Sequence, residues 1–173
     1  MVVHMVAEHD AGALSGVYAE IRTRLGLATV PNVFKAMAAV NHDVLLQNWT
    51  AFRVTVLDGI LPRVVKEMVG LVISRAVKCE YGIRLHTMSL NSLGVSSPVI
   101  QCLLEPGDCA LIPGETRGVL RFALSCCQNP ERVSPEELQA AALTEDEAQE
   151  IMDTVLLVSG LNRFATETGI PAD

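Results

Sequence analysis

Residues 66–94 read KEMVGLVISRAVKCEYGIRLHTMSLNSLG, and two helical periods meet inside that stretch. Val64, Val65, Met68, Leu71, Val72 and Ala76 recur at helical spacing, which predicts a largely buried helix over 62–77 with Pro62 at its first position. Tyr81 to Leu93 predicts a second helix, with Gly94 as a left-handed stop. Cys79, Gly82 and His86 then fall at i, i+3 and i+7, along one face. Glu67 lies twelve residues before Cys79 and returns to the same place if the two helices pack side by side. Thiol, imidazole and carboxylate together make an activated cysteine: a base to take the proton and a group to orient that base. A cysteine at a helix N-terminus also faces the positive end of the dipole, which favours the thiolate. A carboxylate among valines and methionines must be paired or desolvated, and desolvation would raise Glu67 toward the range of a general base. The other reading open for Glu67 is a solvent-facing position beside Arg63 and Lys66.

At these residues the chain resembles the alkylhydroperoxidase D-like group of the carboxymuconolactone decarboxylase superfamily. That group's pattern is a glutamate, eleven intervening residues, Cys-x-x-Cys, three more residues and a histidine. Here it reads Glu67, eleven residues, Cys79-Glu80-Tyr81-Gly82, three residues, His86. The second cysteine is replaced by Gly82, which can neither attack nor resolve. The resemblance implies an all-α fold, a compact bundle of about eight or nine helices, and one domain over 1–173; residues 1–9 are expected to be flexible. It further implies catalytic roles for Cys79, His86 and Glu67 in thiol-based hydroperoxide reduction. Cys79 would form a sulfenic acid while Glu67 and His86 relay protons. With Gly82 at the altered position, resolution would need an external thiol reductant or another cysteine, Cys102 being a candidate. From the same superfamily, a lyase acting on a small lactone acid and a non-enzymatic oligomeric relic remain alternatives. The reading calls for no cofactor and no metal.

Composition sets the outer bounds. The chain has 173 residues, enough for one domain with a real core. Half of its residues are apolar but only 4% are aromatic, so the core is expected to be Val, Leu, Ala and Met. Mean hydropathy is high, at +0.34, and a buried subunit interface would use that surplus. A homo-oligomer is therefore expected; the resemblance implies a dimer, trimer or hexamer. A net charge of −7 with scattered Lys and Arg argues against nucleic acid. Residues 85–104 lack charge but are broken by His86, serines, asparagines, Gly94 and Pro98, which predicts no membrane span. The start, MVVHMVAEHDAG, does not read as a signal peptide, so a cytoplasmic setting is expected. The five cysteines, 79, 102, 109, 126 and 127, have no paired zinc spacing and are expected to be mostly free.

Outward from the centre, Asp10 is expected to cap a helix carrying Leu14, Val17, Tyr18, Ile21 and Leu25, ended by Gly26. Asn32 should cap a short helix through Val40, and Asp43 a longer one with Leu46, Trp49, Phe52 and Val56. Ser97-Pro98 opens a short helix to Leu104, and Glu115–Cys127 predicts another. Ser134-Pro135-Glu136-Glu137 and Thr144-Glu145-Asp146-Glu147 both read as capping boxes. The last helix carries Ala148, Ile151, Met152, Val155 and Leu156, and its end resembles the family's Asn-Arg element at Asn162 and Arg163. Gly82 inside a helix suggests close approach of something to that face, a substrate pocket being one option. Arg75 and Arg84 could bind an anion, and Tyr81 is expected to be a packing or subunit contact.

Overall fold

The computed structural model describes residues 4–129, 135–171 and 173. Among these the fold is all-α, with nine α-helices. They are α1 (Ser15–Leu25), α2 (Asn32–Val40), α3 (His42–Phe52), α4 (Arg63–Ala76), α5 (Glu80–Ser92), α6 (Ser97–Leu104), α7 (Gly114–Gln128), α8 (Pro135–Ala141) and α9 (Glu145–Thr168). Two 3-10 turns precede α1, and a π-helical turn, Arg53–Leu57, extends α3.

Helix α4 is the axis of the molecule. Every residue from Lys66 to Ser74 is buried, and a helix buried all round must be surrounded on all sides. It packs against α5, α9, α7 and α6. On one side Val69, Leu71, Val72 and Ile73 join Ile100, Leu103, Val119, Phe122, Ile151 and Val155 in a first core. A second core belongs to α1–α3, where Tyr18, Ile21, Phe34, Leu45, Trp49 and Phe52 close around Cys79, Tyr81 and Ala165. Phe34 meets Trp49 and Phe52 edge-on at 5.6 and 5.9 Å, a favoured aromatic geometry. The Tyr81 hydroxyl accepts the Val33 N–H at 3.0 Å, pinning the start of α5 to the first turn of α2. Tyr81 is thus a packing contact inside the chain.

Several helix ends differ from the sequence reading. Asp10 lies in a 3-10 turn and caps nothing; α1 starts at Ser15 without a side-chain cap and ends on left-handed Gly26, φ 71°. Asn32 is the first residue of α2 rather than its cap. The cap of α3 is Asn41, whose side chain accepts the Asp43 N–H at 2.8 Å, and Leu45 rather than Leu46 is buried. Pro62 precedes α4 as its cap residue. The Thr144–Glu147 capping box is present, and Thr144 to Ala at such a box costs ~1 kcal/mol. The box expected at Ser134 falls outside the described residues. Residues 6–8 are held: Val6 N–H donates to Lys35 O at 3.1 Å, Tyr18 donates to Val6 O at 3.0 Å, and Glu8 pairs with Arg22. No helix among the described residues is long and apolar enough to cross a membrane.

Candidate functional site

The connection between α4 and α5 is only three residues, Val77-Lys78-Cys79, and its geometry places the thiol. Lys78 N–H donates to Arg75 O at 3.0 Å and Cys79 N–H to Ser74 O at 2.9 Å. These are the two bonds of a Schellman motif. The left-handed residue that the motif needs is Lys78, φ 57°, a conformation costing an L-residue roughly 1–2 kcal/mol. The same turn that ends α4 therefore makes Cys79 the cap of α5. Its sulfur accepts the Gly82 N–H at 3.4 Å, and its S–H donates to Asn162 O on α9 at 3.6 Å. The thiol is 3% exposed.

Facing helices run antiparallel from that turn, so Ser74, Gly70 and Glu67 climb α4 while Gly82 and His86 climb α5. At the far end Glu67 Oε2 and His86 Nδ1 lie 2.8 Å apart, both buried. Arg63 Nε donates to the other carboxylate oxygen at 3.2 Å. Glu67 does not face solvent, and its carboxyl is not raised. Burial acts to raise it, but hydrogen bonding and charge from His86, the charge of Arg63 and a bond from Ser89 outweigh burial and hold it below the usual range. Glu67 is thus an ionised anchor for the imidazole. Room for the ring comes from Gly70: a Cβ there would lie 2.2 Å from His86 Cε1.

The middle of the ladder is filled. A Cβ on Gly82 would lie 2.1 Å from Asn162 Oδ1 and 2.5 Å from Ser74 Oγ. Asn162 Nδ2 donates to Ser74 Oγ at 3.0 Å, and Ser74 Oγ stands 3.1 Å from Asn162 Oδ1. No ligand space exists where the second thiol of the resembled motif would stand; a hydrogen-bonded amide and hydroxyl occupy it. Seven residues of helix separate Cys79 from His86, about 10 Å along the axis, and Ser74 lies between them in register. On the outer side of Asn162 a groove of about 280 Å3 is lined by Val77, Ser159, Asn162, Arg163, Thr166 and Glu167.

Other candidates fall elsewhere. Cys102 packs against the first core whereas Cys79 belongs to the second, so the fold does not bring Cys102 to Cys79. Arg75 spends its guanidinium on the carbonyls of Leu103, at 2.8 Å, and Glu105. Lys66 is buried against Glu150 and Asp58 O, and Glu150 also accepts the Ile60 N–H at 2.7 Å. That clasp between α4 and α9 was invisible in a sequence where the two residues are 84 positions apart. Gly70 and Ser74 also carried no signal of their own, since each has meaning only against its partner on α5.

Residues 43–123 match the family model described as Carboxymuconolactone decarboxylase family. An alkyl hydroperoxide reductase of Mycobacterium tuberculosis is 32% identical over 83 residues, 48% of this chain and 23% of that protein. The chain thus spans about a quarter of that relative's length. A peroxidase-related protein from Ralstonia eutropha, described as an alkylhydroperoxidase AhpD core, superposes with a TM-score of 0.87 at 24% identity, covering 99% of this chain and 92% of that one. A debrominase in complex with a tribromopyrrole has the same fold, with a TM-score of 0.85 at 19% identity, covering 100% of this chain and 92% of that one. Sequence segment and fold agree: residues 43–123 match the carboxymuconolactone decarboxylase family model, and the all-α fold is that of the solved alkylhydroperoxidase AhpD core.

Proposed function

We propose that the chain is a thiol hydroperoxidase working through a single motif cysteine, Cys79, with His86 and Glu67 handling the proton. One arrangement carries this reading. The Cys79 sulfur takes the Gly82 N–H at the start of the helix whose same face holds His86 on buried Glu67. The sulfur attacks the outer oxygen of a hydroperoxide; an S–O bond forms as the O–O bond breaks. The thiol proton passes through the Ser74 hydroxyl toward His86 and is returned to the departing alkoxide, which leaves as alcohol. Glu67 stays ionised and steadies the imidazole whenever it is charged. Gly82 offers no resolving thiol, so an external thiol displaces water from the sulfenic acid. A second external thiol then restores Cys79 and leaves as the external disulfide. The groove beside Asn162 is the approach, requiring that side chain to move. Such a cycle suits a reducing compartment, the cytoplasm. The exposed apolar residues Val40, Val54, Ile60 and Leu156 are assigned to contacts within a homo-oligomer.

The test is brief peroxide treatment with a sulfenic-acid trap and mass mapping. An adduct at Cys79 is expected, formed about 100-fold more slowly in His86→Ala. Absence of any Cys79 adduct in a folded protein would overturn the reading and leave an inert scaffold. Lactone turnover surviving Cys79→Ser would replace it with the lyase.

A further inference from the structure

Asn162, buried on α9, holds both Cys79 and Ser74. Its backbone oxygen accepts the Cys79 S–H at 3.6 Å, which commits the thiol proton to α9. Its side-chain amide meets the buried Ser74 hydroxyl twice: Nδ2 donates to Ser74 Oγ at 3.0 Å, and Ser74 Oγ donates to Oδ1 at 3.1 Å. A hydroxyl relays a proton only if it accepts from one neighbour while it donates to another. In the resting chain one residue therefore takes up both the thiol proton and the hydroxyl proton. Among the described residues, Ser74 is the only partner that the amide has. On its outer side Asn162 lines the groove of about 280 Å3, of whose lining Cys79 is not a part. That groove is room for the amide to turn into. Ser159 and Thr166, which also line it, stand three residues before Asn162 and four after it, on the same helix face. A turned-out amide thus exchanges one buried hydroxyl for two on its own helix.

We propose that Asn162 is a latch on the Cys79 thiol, a positioning residue that acts through Ser74. Turned inward, the amide ties up the Ser74 hydroxyl, fills the space over Gly82 and keeps Cys79 inert. Turned out into the groove, it frees the hydroxyl to accept the thiol proton while its own proton moves toward His86. No atom is gained or lost by the switch; one pair of hydrogen bonds is exchanged for another. The latch rests on the reading of Cys79 and His86 as the working pair, and it assigns the control of that pair to a residue of α9.

Timed alkylation of the full chain with iodoacetamide, read cysteine by cysteine, tests the latch without any peroxide. Tryptic peptide 79–84 carries Cys79 as its one cysteine. Asn162→Ala should speed alkylation of Cys79 about tenfold, the release of a latch held by about 1.4 kcal/mol. Cys109 and Cys126, buried elsewhere, should keep their native rates. Ser74→Ala removes the bond but leaves the amide, and it too should speed Cys79, whereas a side chain that only fills space would stay in place. Sulfenic trapping after peroxide should rise in Asn162→Ala and fall in Ser74→Ala, where the relay hydroxyl is gone. A native Cys79 rate in both variants, a rise in Asn162→Ala alone, or a rise shared by Cys109 and Cys126 overturns the latch. Faster Cys79 alkylation in both variants with no sulfenic adduct in any chain supports the latch and overturns the peroxidase reading instead.

Discussion

Glu67 shows how one residue's surroundings reverse an expectation drawn from its neighbours in sequence. Among Val64, Val65 and Met68 it looked desolvated, and desolvation alone would push its proton on. The partners that answer burial come from elsewhere: His86 and Ser89 on α5, with Arg63 one turn back. A carboxyl held below its ordinary value of about 4.5 stabilises the fold above that pH, and the contribution is lost as pH falls through the lowered folded value. Acid titration of stability should therefore show a decline below about pH 4.5, shared with Glu8, whose carboxyl is also lowered. In Glu67→Gln the slope there should be shallower by up to about 1.4 kcal/mol per pH unit. The neutral-pH stability of that variant should drop by ~3–5 kcal/mol through loss of a buried pair. Urea melts from pH 3 to 7 would check both, and an unchanged slope would show that the Glu67 proton is not linked to folding.

The ladder between α4, α5 and α9 is set by side-chain volume as much as by charge. Gly70 leaves the space that His86 fills, and Gly82 leaves the space that Asn162 and Ser74 fill. Restoring a cysteine at the altered position is consequently not a neutral change. Gly82→Cys should destabilise by ~1–3 kcal/mol through overpacking, despite the ~1 kcal/mol gain of replacing a helical glycine. Combined with Asn162→Ala, the costs should be non-additive, with a coupling of at least about 0.5 kcal/mol from relief of the clash. Denaturant melts of the two single variants and the double variant measure this directly. Strict additivity would mean that Asn162 does not occupy the position of the missing thiol.

Across the whole molecule, two cores are joined by α5 and α9, which contribute residues to both. Surplus apolar surface remains outside them: Leu156 on α9 is 75% exposed and Ile60 is 62% exposed. Sedimentation equilibrium is expected to give a mass that is a multiple of 18.6 kDa, with Leu156→Glu shifting it toward the single chain. A monomer at all concentrations would remove the assignment of that surface to an interface.

Element types along most of the chain were legible in its 3.6-residue apolar periods, and so were the stops at Gly26 and Gly94 and the Thr144 box, because all of these act within one or two turns. The spacing of Glu67, Cys79 and His86 was equally plain, since helix and turn lengths set their register. Caps such as Asn41 were misplaced by one or two residues, because several neighbouring side chains were each capable of the bond. What only the tertiary structure decided is what fills the space between those three residues. Asn162 arrives from a helix 80 positions beyond Gly82, and Glu150 meets Lys66 by the same long return. Such contacts depend on where α9 docks, a property of the packed core that no local period encodes. The sign of the Glu67 shift depends on it too, because burial and pairing oppose each other and only the assembled helices determine which prevails.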